Sequence, residues 1–339
     1  MEEQRYRDRR GGKTVRPFSF AARVSSRGMS LGLERVLTDF GADSSFAKAV
    51  EKVKEHYGVE VSESAVCRVS EKHGDLMHGE MEVEQRMPRK GVKELLAETD
   101  GAFIPIVEIV EGIGDQRKRR SSKYQEGRLC LAGQVGSFQR KYRATLGSVD
   151  EAGRQWKASV VEAGGGENTA LHCVGDGAKW IVKQMEKQFG KQAGYLIDFY
   201  HLSEYLGKAG EAIAGKEGTR WLKKAQTKMK NNEWQEVLQE LGKYEEAKEI
   251  AEVDAPVRSC RRYMENRKEN LDYRGAIEKG LPIGSGEIES GNKSVVQARL
   301  KIAGAWWKVE NAEKMLALRV NRANGDWNSY WQQQRQANA

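Results

Sequence analysis

Apolar positions recur along this chain with two different periods. From about Ser44 to Gly74 the spacing is helical: Phe46, Ala49, Val50 and Val53 share one face, and Val66 and Val69 mark a second segment beyond the break at Tyr57-Gly58-Val59. Ser62 stands before Glu63 and Ser64, where a helix cap belongs. Two short helices about a glycine turn are the outline of a helix-turn-helix, with Glu63 to Glu71 as the helix that would enter a major groove, and equally of any helical hairpin.

The texture changes near Val92. Leu95 to Val110, Arg128 to Val135 and Lys141 to Leu146 are rich in β-branched and apolar residues between turn signals, which predicts three consecutive strands. A helix is expected over Asp150 to Glu162, then a buried strand at Leu171 to Val174, a helix over Ala178 to Phe189 and a strand over Tyr195 to Phe199. Three strands followed by alternating helix and strand imply an α/β fold, a mixed sheet covered by helices. Between His201 and Gly280 only helical spacing remains, as in Trp221, Leu222 and Ala225 or Trp234, Val237, Leu238 and Leu241, so this stretch reads as an inserted all-helical block. Helix is expected again from Gly291 through Leu318, with a frayed Gln-rich end from Gln332.

Composition narrows the class. A chain of 339 residues can bury a full core without disulfides, and Cys67, Cys130, Cys173 and Cys260 form no Cys-x-x-Cys pair, which argues against a zinc ribbon and for buried thiols in a reducing compartment. The start MEEQRYRDRRGG has no apolar signal core and no stretch resembles a membrane span, so a cytoplasmic protein without membrane contact is expected. Lys and Arg outnumber Asp and Glu by 57 to 49, a net charge of +8 that suits a polyanionic partner. Arg5, Arg7, Arg9, Arg10 and Lys13 make the first dozen residues a basic arm, either phosphate-seeking or simply a solvated tail.

Candidate chemistry lies in three segments. Asp100 in LLAETDGAFIPI and Asp176 in LHCVGDGAKWI each end an apolar strand just before a glycine, where open sheets present ligands, although Asp-Gly is also an ordinary turn dipeptide. The third, YRGAIEKGLPIGSGEIESGNKSVVQARLKIAGAWWK, leads through Pro and Gly into a helix carrying Glu287 and Glu289, with Lys293, Arg299 and Lys301 beyond; acids there also suit a helix amino terminus.

Taken in order, ETDGAFIPIVE, GDGAKWI, LIDFYHLSEYL, YRGAIEKGLPIGSGEIES and RLKIAGAWWK resemble bacterial insertion-sequence transposases of the ISKra type, within the acidic-triad superfamily that includes ISL-type and Mutator-like transposases, over most of the chain from Glu98 to Arg319. That resemblance implies a ribonuclease-H-like fold in which Asp100, Asp176 and Glu289 are the catalytic acids and hold two Mg²⁺ or Mn²⁺ ions. Glu287 is the rival for the third position; Glu289 is preferred because related families set the acid between an apolar residue and Ser or Gly. It further implies a supporting role near the acids for Asp198 and His201 of the Asp-x-x-His string, where the plain alternative is a capped, buried histidine. The stretch between Asp176 and Glu289 is too long for a minimal fold of this kind, and similar transposases carry an all-helical insertion there.

The expected organisation is therefore a basic arm and helix-turn-helix-like region over residues 1–92, the first part of the catalytic domain over 93–203, the helical insertion over 204–282, the final catalytic helices over 283–325 and a polar tail over 326–339. The expected partners are double-stranded DNA, both transposon ends and target, and further copies of the chain, since two ends must be joined. Phosphate contacts are expected from Arg117, Lys118, Arg119, Arg120 and Lys123 in one loop, Arg140, Lys141 and Arg143 in the next, and Lys293, Arg299 and Lys301 after the third acid; Arg258, Arg261, Arg262, Arg267 and Lys268 form a further run, and such runs are also common on solvated faces. Trp306 and Trp307 read as packing residues. The competing readings are a DNA-binding protein without catalysis and a nuclease that cuts without strand transfer.

Overall fold

Capping and glycine signals set the amino-terminal elements. In the computed structural model, which describes residues 4–7, 14–21, 29–81, 85–109, 115 and 119–337, Tyr6–Arg7 (β1) and Thr14–Val15 (β2) form a short antiparallel ladder, so part of the basic arm is paired. Arg9, Arg10 and Lys13 lie outside the described residues. After Pro17–Ala21 (α1) come three helices: Leu31–Asp43 (α2), Phe46–Tyr57 (α3) and Glu63–Met81 (α4). Ser30 and Ser45 cap α2 and α3, and the Ser62 hydroxyl accepts from the Ala65 amide at 3.2 Å at the start of α4. The expected helical pair is thus a triple, because α2 also contributes to the shared core.

Two long strands follow, Glu94–Ile109 (β3) and Arg120–Gly133 (β4), then Lys141–Thr145 (β5), Val149–Glu162 (α5), Ala170–Gly175 (β6), Lys179–Phe189 (α6) and Ala193–Ile197 (β7). From Asp198 to Asn292 no described residue is in a strand. The helices there are Phe199–Ala214 (α7), Gly218–Lys230 (α8), Trp234–Lys243 (α9), Pro256–Glu265 (α10), Tyr273–Glu278 (α11) and Gly286–Gly291 (α12). The single helix expected beyond Gly291 is broken into a π-helical turn at Asn292–Gln297, a short Ala298–Leu300 (α13) and then Val309–Ala323 (α14); Gly304, at φ +79°, sits in the break. The end expected to fray is instead a helix, Trp327–Ala337 (α15), because Trp327, Tyr330 and Trp331 bury one face while the glutamines stay outside.

The chain forms two compact units. One comprises residues 1–83, 102–127 and 293–339. Leu37, Ala49, Val53, Val66 and Val69 are its helical core, and α14 packs along α4. Gly74 permits that approach, since a Cβ there would stand 2.6 Å from the Lys314 carbonyl oxygen. Arg299 is buried in this unit, with Nε donating to the Gly41 carbonyl at 2.9 Å and its guanidinium over the Phe46 and Trp307 rings; burial pulls it down to about 10. Trp307 is buried as a packing residue and Trp306 is largely exposed.

The other unit comprises residues 84–101 and 128–292. Its sheet has the order β5-β4-β3-β6-β7, with β4–β5 antiparallel and β3–β6 and β6–β7 parallel. Continuous apolar runs such as Leu95, Leu96, Ala97 and Leu171, Cys173, Val174 suit strands covered on both faces. The helical block is not separate from this core: Met229, Val237, Leu241, Cys260 and Met264 belong to the same buried cluster as the strands, and α7 runs unbroken through the expected boundary at 203–204.

Candidate active site

Strand register brings the first two acids side by side. The last β3–β6 pair is Glu98 with Val174, and two residues further on stand Asp100 and Asp176. Asp176 lies just past the end of β6, but Asp100 lies inside β3 and not at the expected strand end, because the strand continues through Gly101 to Ile109. The turn that carries Asp176 is held from four directions. Its Oδ1 accepts from the Ala178 amide at 2.8 Å, the Gly177 amide donates to the Tyr195 hydroxyl at 3.1 Å, the Tyr263 hydroxyl donates to the Asp176 carbonyl at 2.7 Å, and Arg267 Nη2 donates to the Gly177 carbonyl at 3.0 Å. Gly177 has φ +78° and a Cβ would meet the Arg267 guanidinium at 2.3 Å, so both backbone and space call for glycine. Tyr263 and Arg267 come from the end of the helical block, which therefore buttresses the second acid.

The segment before the third acid is strapped to the same strand ends. His172 Nε2 lies 2.7 Å from the Pro282 carbonyl, the Phe199 amide donates to the Ile283 carbonyl at 2.9 Å, and the Ser285 amide and hydroxyl both donate to Asp198 Oδ2 at 2.5 Å. Asp198 Oδ1 meanwhile accepts from the His201 amide at 2.7 Å and caps α7. Asp198 is thus a buried latch between β7 and the approach to α12, while the His201 ring packs against Tyr205 and Tyr263. The Ile288 amide donates to Glu98 Oε2 at 2.9 Å, and Asn292 Nδ2 donates to Asp100 Oδ2 at 2.8 Å, so α12 is tied to β3 at its middle and at its carboxyl cap.

The two candidates for the third acid have different surroundings. Glu287 is engaged by Arg140 through both carboxylate oxygens, one at 2.7 Å from Nη2. Glu289 is exposed, and its charge acts on Asp100. The Asp100 carboxyl is raised above the usual carboxylate range, chiefly by burial and then by the negative charges of Asp176 and Glu289, against hydrogen bonds from Gly101 and Asn292 that lower it. Glu98, fully buried on the same face of β3, is pushed up to about 8 by burial, with the charges of Glu287 and Asp198 adding to it. Its Oε1 has no hydrogen-bond partner.

These donors are all oxygens, the kind that hard divalent cations take, and Asp100 feels two carboxylates. As the side chains lie, no group of three or more His, Cys, Asp or Glu among the described residues is gathered tightly enough to hold an ion.

Several expected phosphate contacts are already committed elsewhere. Arg140 is bound to Glu287, Arg143 is buried and donates to Glu162 with Nε at 3.1 Å, and Arg299 is buried against Gly41; each is withdrawn from solvent because its guanidinium completes the packing. Lys123 pairs with Glu108 at 2.6 Å. Arg120, Lys293 and Lys301 are exposed, Arg119 and Lys141 are partly so, and Arg117 and Lys118 lie outside the described residues.

Sequence reasoning missed Glu98 and Asn292. Both had a signal: Glu98 precedes Asp100 by two in a strand and so shares its face, and Asn292 follows Glu289 by three in a helical run. The Tyr263 and Arg267 struts had none, because they reach Asp176 only through tertiary packing.

The comparisons with known proteins fit this architecture into a family without describing an activity. A family model described as the uncharacterised protein family UPF0236 matches residues 20–336. The chain belongs to UPF0236. Among curated proteins none matches this UPF0236 member in sequence. Among solved structures, the Drosophila P element transposase strand transfer complex aligns over 91% of this chain and 82% of that chain, at 9% identity and a TM-score of 0.32, a likeness too slight to argue from. Among the described residues no helix is long and apolar enough to cross a membrane.

Proposed function

We propose that this protein is a DNA transposase of the acidic-triad kind, cleaving phosphodiester bonds at transposon ends and joining the freed 3′ hydroxyl to target DNA. The observation that carries the reading is the convergence of three carboxylates remote in sequence: Asp100 within β3 and Asp176 just past β6 lie on adjacent parallel strands, Asn292 at the end of α12 donates to Asp100, and the charges of Asp176 and Glu289 both add to the rise of the buried Asp100 carboxyl. Such a cluster suits divalent cations. Asp100, Asp176 and Glu289 would hold them, and two Mg²⁺ or Mn²⁺ ions would supply activation of the attacking oxygen and stabilisation of the leaving one. Both oxygens of Asp100 already accept a hydrogen bond, from Gly101 and Asn292, and each keeps a lone pair for a metal.

The remaining residues orient this set. Asn292 fixes the rotamer of Asp100, the Ala178 amide fixes Asp176, and the Asp198–Ser285 latch sets where α12 begins. Arg140 already pairs with Glu287, which supports Glu289 over Glu287 as the third acid. In the reaction, water attacks the phosphodiester at the transposon end and releases a 3′ hydroxyl, and that hydroxyl then attacks a target phosphodiester, one P–O bond forming as another breaks. Bringing two ends together calls for a homo-oligomer acting on double-stranded DNA.

The test uses a supercoiled plasmid carrying the gene with its natural flanks, incubated with purified protein and Mg²⁺ and scored for nicked ends and joined products. Asp100→Ala, Asp176→Ala and Glu289→Ala are expected to abolish both while Glu287→Ala retains them. Loss with Glu287→Ala and retention with Glu289→Ala would reverse the assignment of the third acid. Cutting without joining would reduce the protein to a nuclease, and DNA binding without cutting would remove catalysis altogether.

A further inference from the structure

A cleft of about 600 Å³ opens beside the second acid, lined by the start of α6, by α7 and by the end of α10. It begins at Gly177, the residue after Asp176. Its charged lining is lopsided: Lys179, Lys183, Arg262 and Arg267 against Glu186 alone. Two of these cations are already engaged, since Arg267 donates to the Gly177 carbonyl and lies over the Tyr263 ring at 4.1 Å, and Arg262 pairs with Glu252 at 2.8 Å. Lys179 and Lys183 are different. Both are exposed, they stand one turn apart on α6, and the fold makes no structural use of their ammonium groups among the described residues. Tyr205, half-buried and stacked on Tyr263 at 4.2 Å, gives the cleft an aromatic wall.

We infer that this cleft is a single-strand channel, in which Lys179 and Lys183 hold the phosphates of a nucleic-acid strand leaving the Asp100–Asp176–Glu289 site and Tyr205 offers a face to a base. The inference rests on the proposed transposase reading, which supplies the strand. Three features select the ligand. Compact ammonium charges on flexible stems suit phosphate as point charges. An aromatic ring beside a basic track is the usual platform for an unpaired base. A volume of about 600 Å³ is that of a pocket for one drug-sized molecule, room for roughly one or two nucleotides and far too little for a duplex.

The probe is a fluorescein-labelled single-stranded oligodeoxynucleotide of about 15 nucleotides, with the duplex of the same sequence beside it, titrated by anisotropy against the full-length protein over a salt series. Lys179→Ala with Lys183→Ala is expected to weaken single-strand binding about tenfold and to lower the slope of log K against log salt by roughly 1.4, while duplex binding changes less than about twofold. Tyr205→Leu is expected to weaken single-strand binding about fivefold without altering the salt slope. Both lysines are solvent-exposed, so a circular-dichroism melt superimposable on wild type accompanies the result. Unchanged single-strand affinity in the lysine variant, or equal losses for strand and duplex, overturns the channel. If wild-type protein neither cuts nor joins DNA and yet binds the strand through these lysines, the catalytic reading fails and the channel stands; if it cuts and joins, and the lysine variant binds and reacts as wild type does, the channel alone fails.

Discussion

Two acids drawn out of water, one in each unit, respond in opposite directions. Glu34 on α2 is buried enough for desolvation to raise its carboxyl, yet hydrogen bonds and charge from His73 and Lys72 outweigh burial and the net shift is downward. His73, itself buried, bridges from Glu34 through Nε2 at 2.9 Å to the Tyr330 hydroxyl through Nδ1 at 2.7 Å. That cluster is internally satisfied and needs nothing from outside. Asp100 is raised by burial and raised further by Asp176 and Glu289, with only neutral donors set against them. Burial of Glu34 is thus more than answered by its cationic partners, whereas the charges around Asp100 add to the effect of its burial.

Removing the first acid is the largest break in that contrast. Asp100→Asn keeps size and the Asn292 contact but removes the charge; end cleavage is expected to fall at least about 1000-fold, equivalent to about 4 kcal/mol in the barrier, and millimolar Mg²⁺ is expected to raise the melting temperature of the wild-type protein and not that of the variant. Retained cleavage would show that the convergence on Asp100 is incidental. Next in size is the latch. Asp198→Ala removes the α7 cap and both bonds from Ser285, so unfolding in urea should show a loss of about 3 kcal/mol, and cleavage per folded molecule should drop about tenfold as α12 loosens.

On the other side of the comparison, His73→Ala leaves Glu34 and Tyr330 short of a partner and opens a small cavity. A loss of about 2–3 kcal/mol in urea is expected, with cleavage per folded molecule unchanged. The smallest effect is the pH dependence of Glu34. Its folded value lies below the ordinary 4.5, so the stabilisation it gives is fully present above 4.5 and is lost as pH falls through the folded value. Glu34→Gln should flatten the acid limb of a melting-temperature profile; a limb unchanged in that variant would mean that the His73 and Lys72 contacts do not persist in solution.

Much of the sheet was legible in the residues because runs such as Leu95 to Ala97 and Leu171 to Val174 are too apolar and too short for anything but buried strands. The helices from Trp221 to Leu241 were legible by their spacing. Asp100 and Asp176 could be marked because an Asp-Gly pair after an apolar run is a local signal, although only Asp176 proves to follow a strand end. Less could be read where several uses compete for one residue type. Arg140, Arg143 and Arg299 look like phosphate contacts in a charge run, and only packing reveals that each answers a glutamate or a carbonyl inside the fold. The Gln-rich end hides a helix because Trp327, Tyr330 and Trp331 occupy too few positions for a clear period.

By itself, then, the sequence determined the elements that local periodicity and caps dictate, the acids that follow apolar runs and the existence of the all-helical stretch. The tertiary structure alone decided that register sets Asp100 beside Asp176, that Glu287 answers Arg140 while Glu289 acts on Asp100, and that Tyr263 and Arg267 brace the turn between β6 and α6. The division has one physical cause: periodicity and capping act within a few residues, whereas electrostatic coupling depends on distances through space that no local pattern encodes.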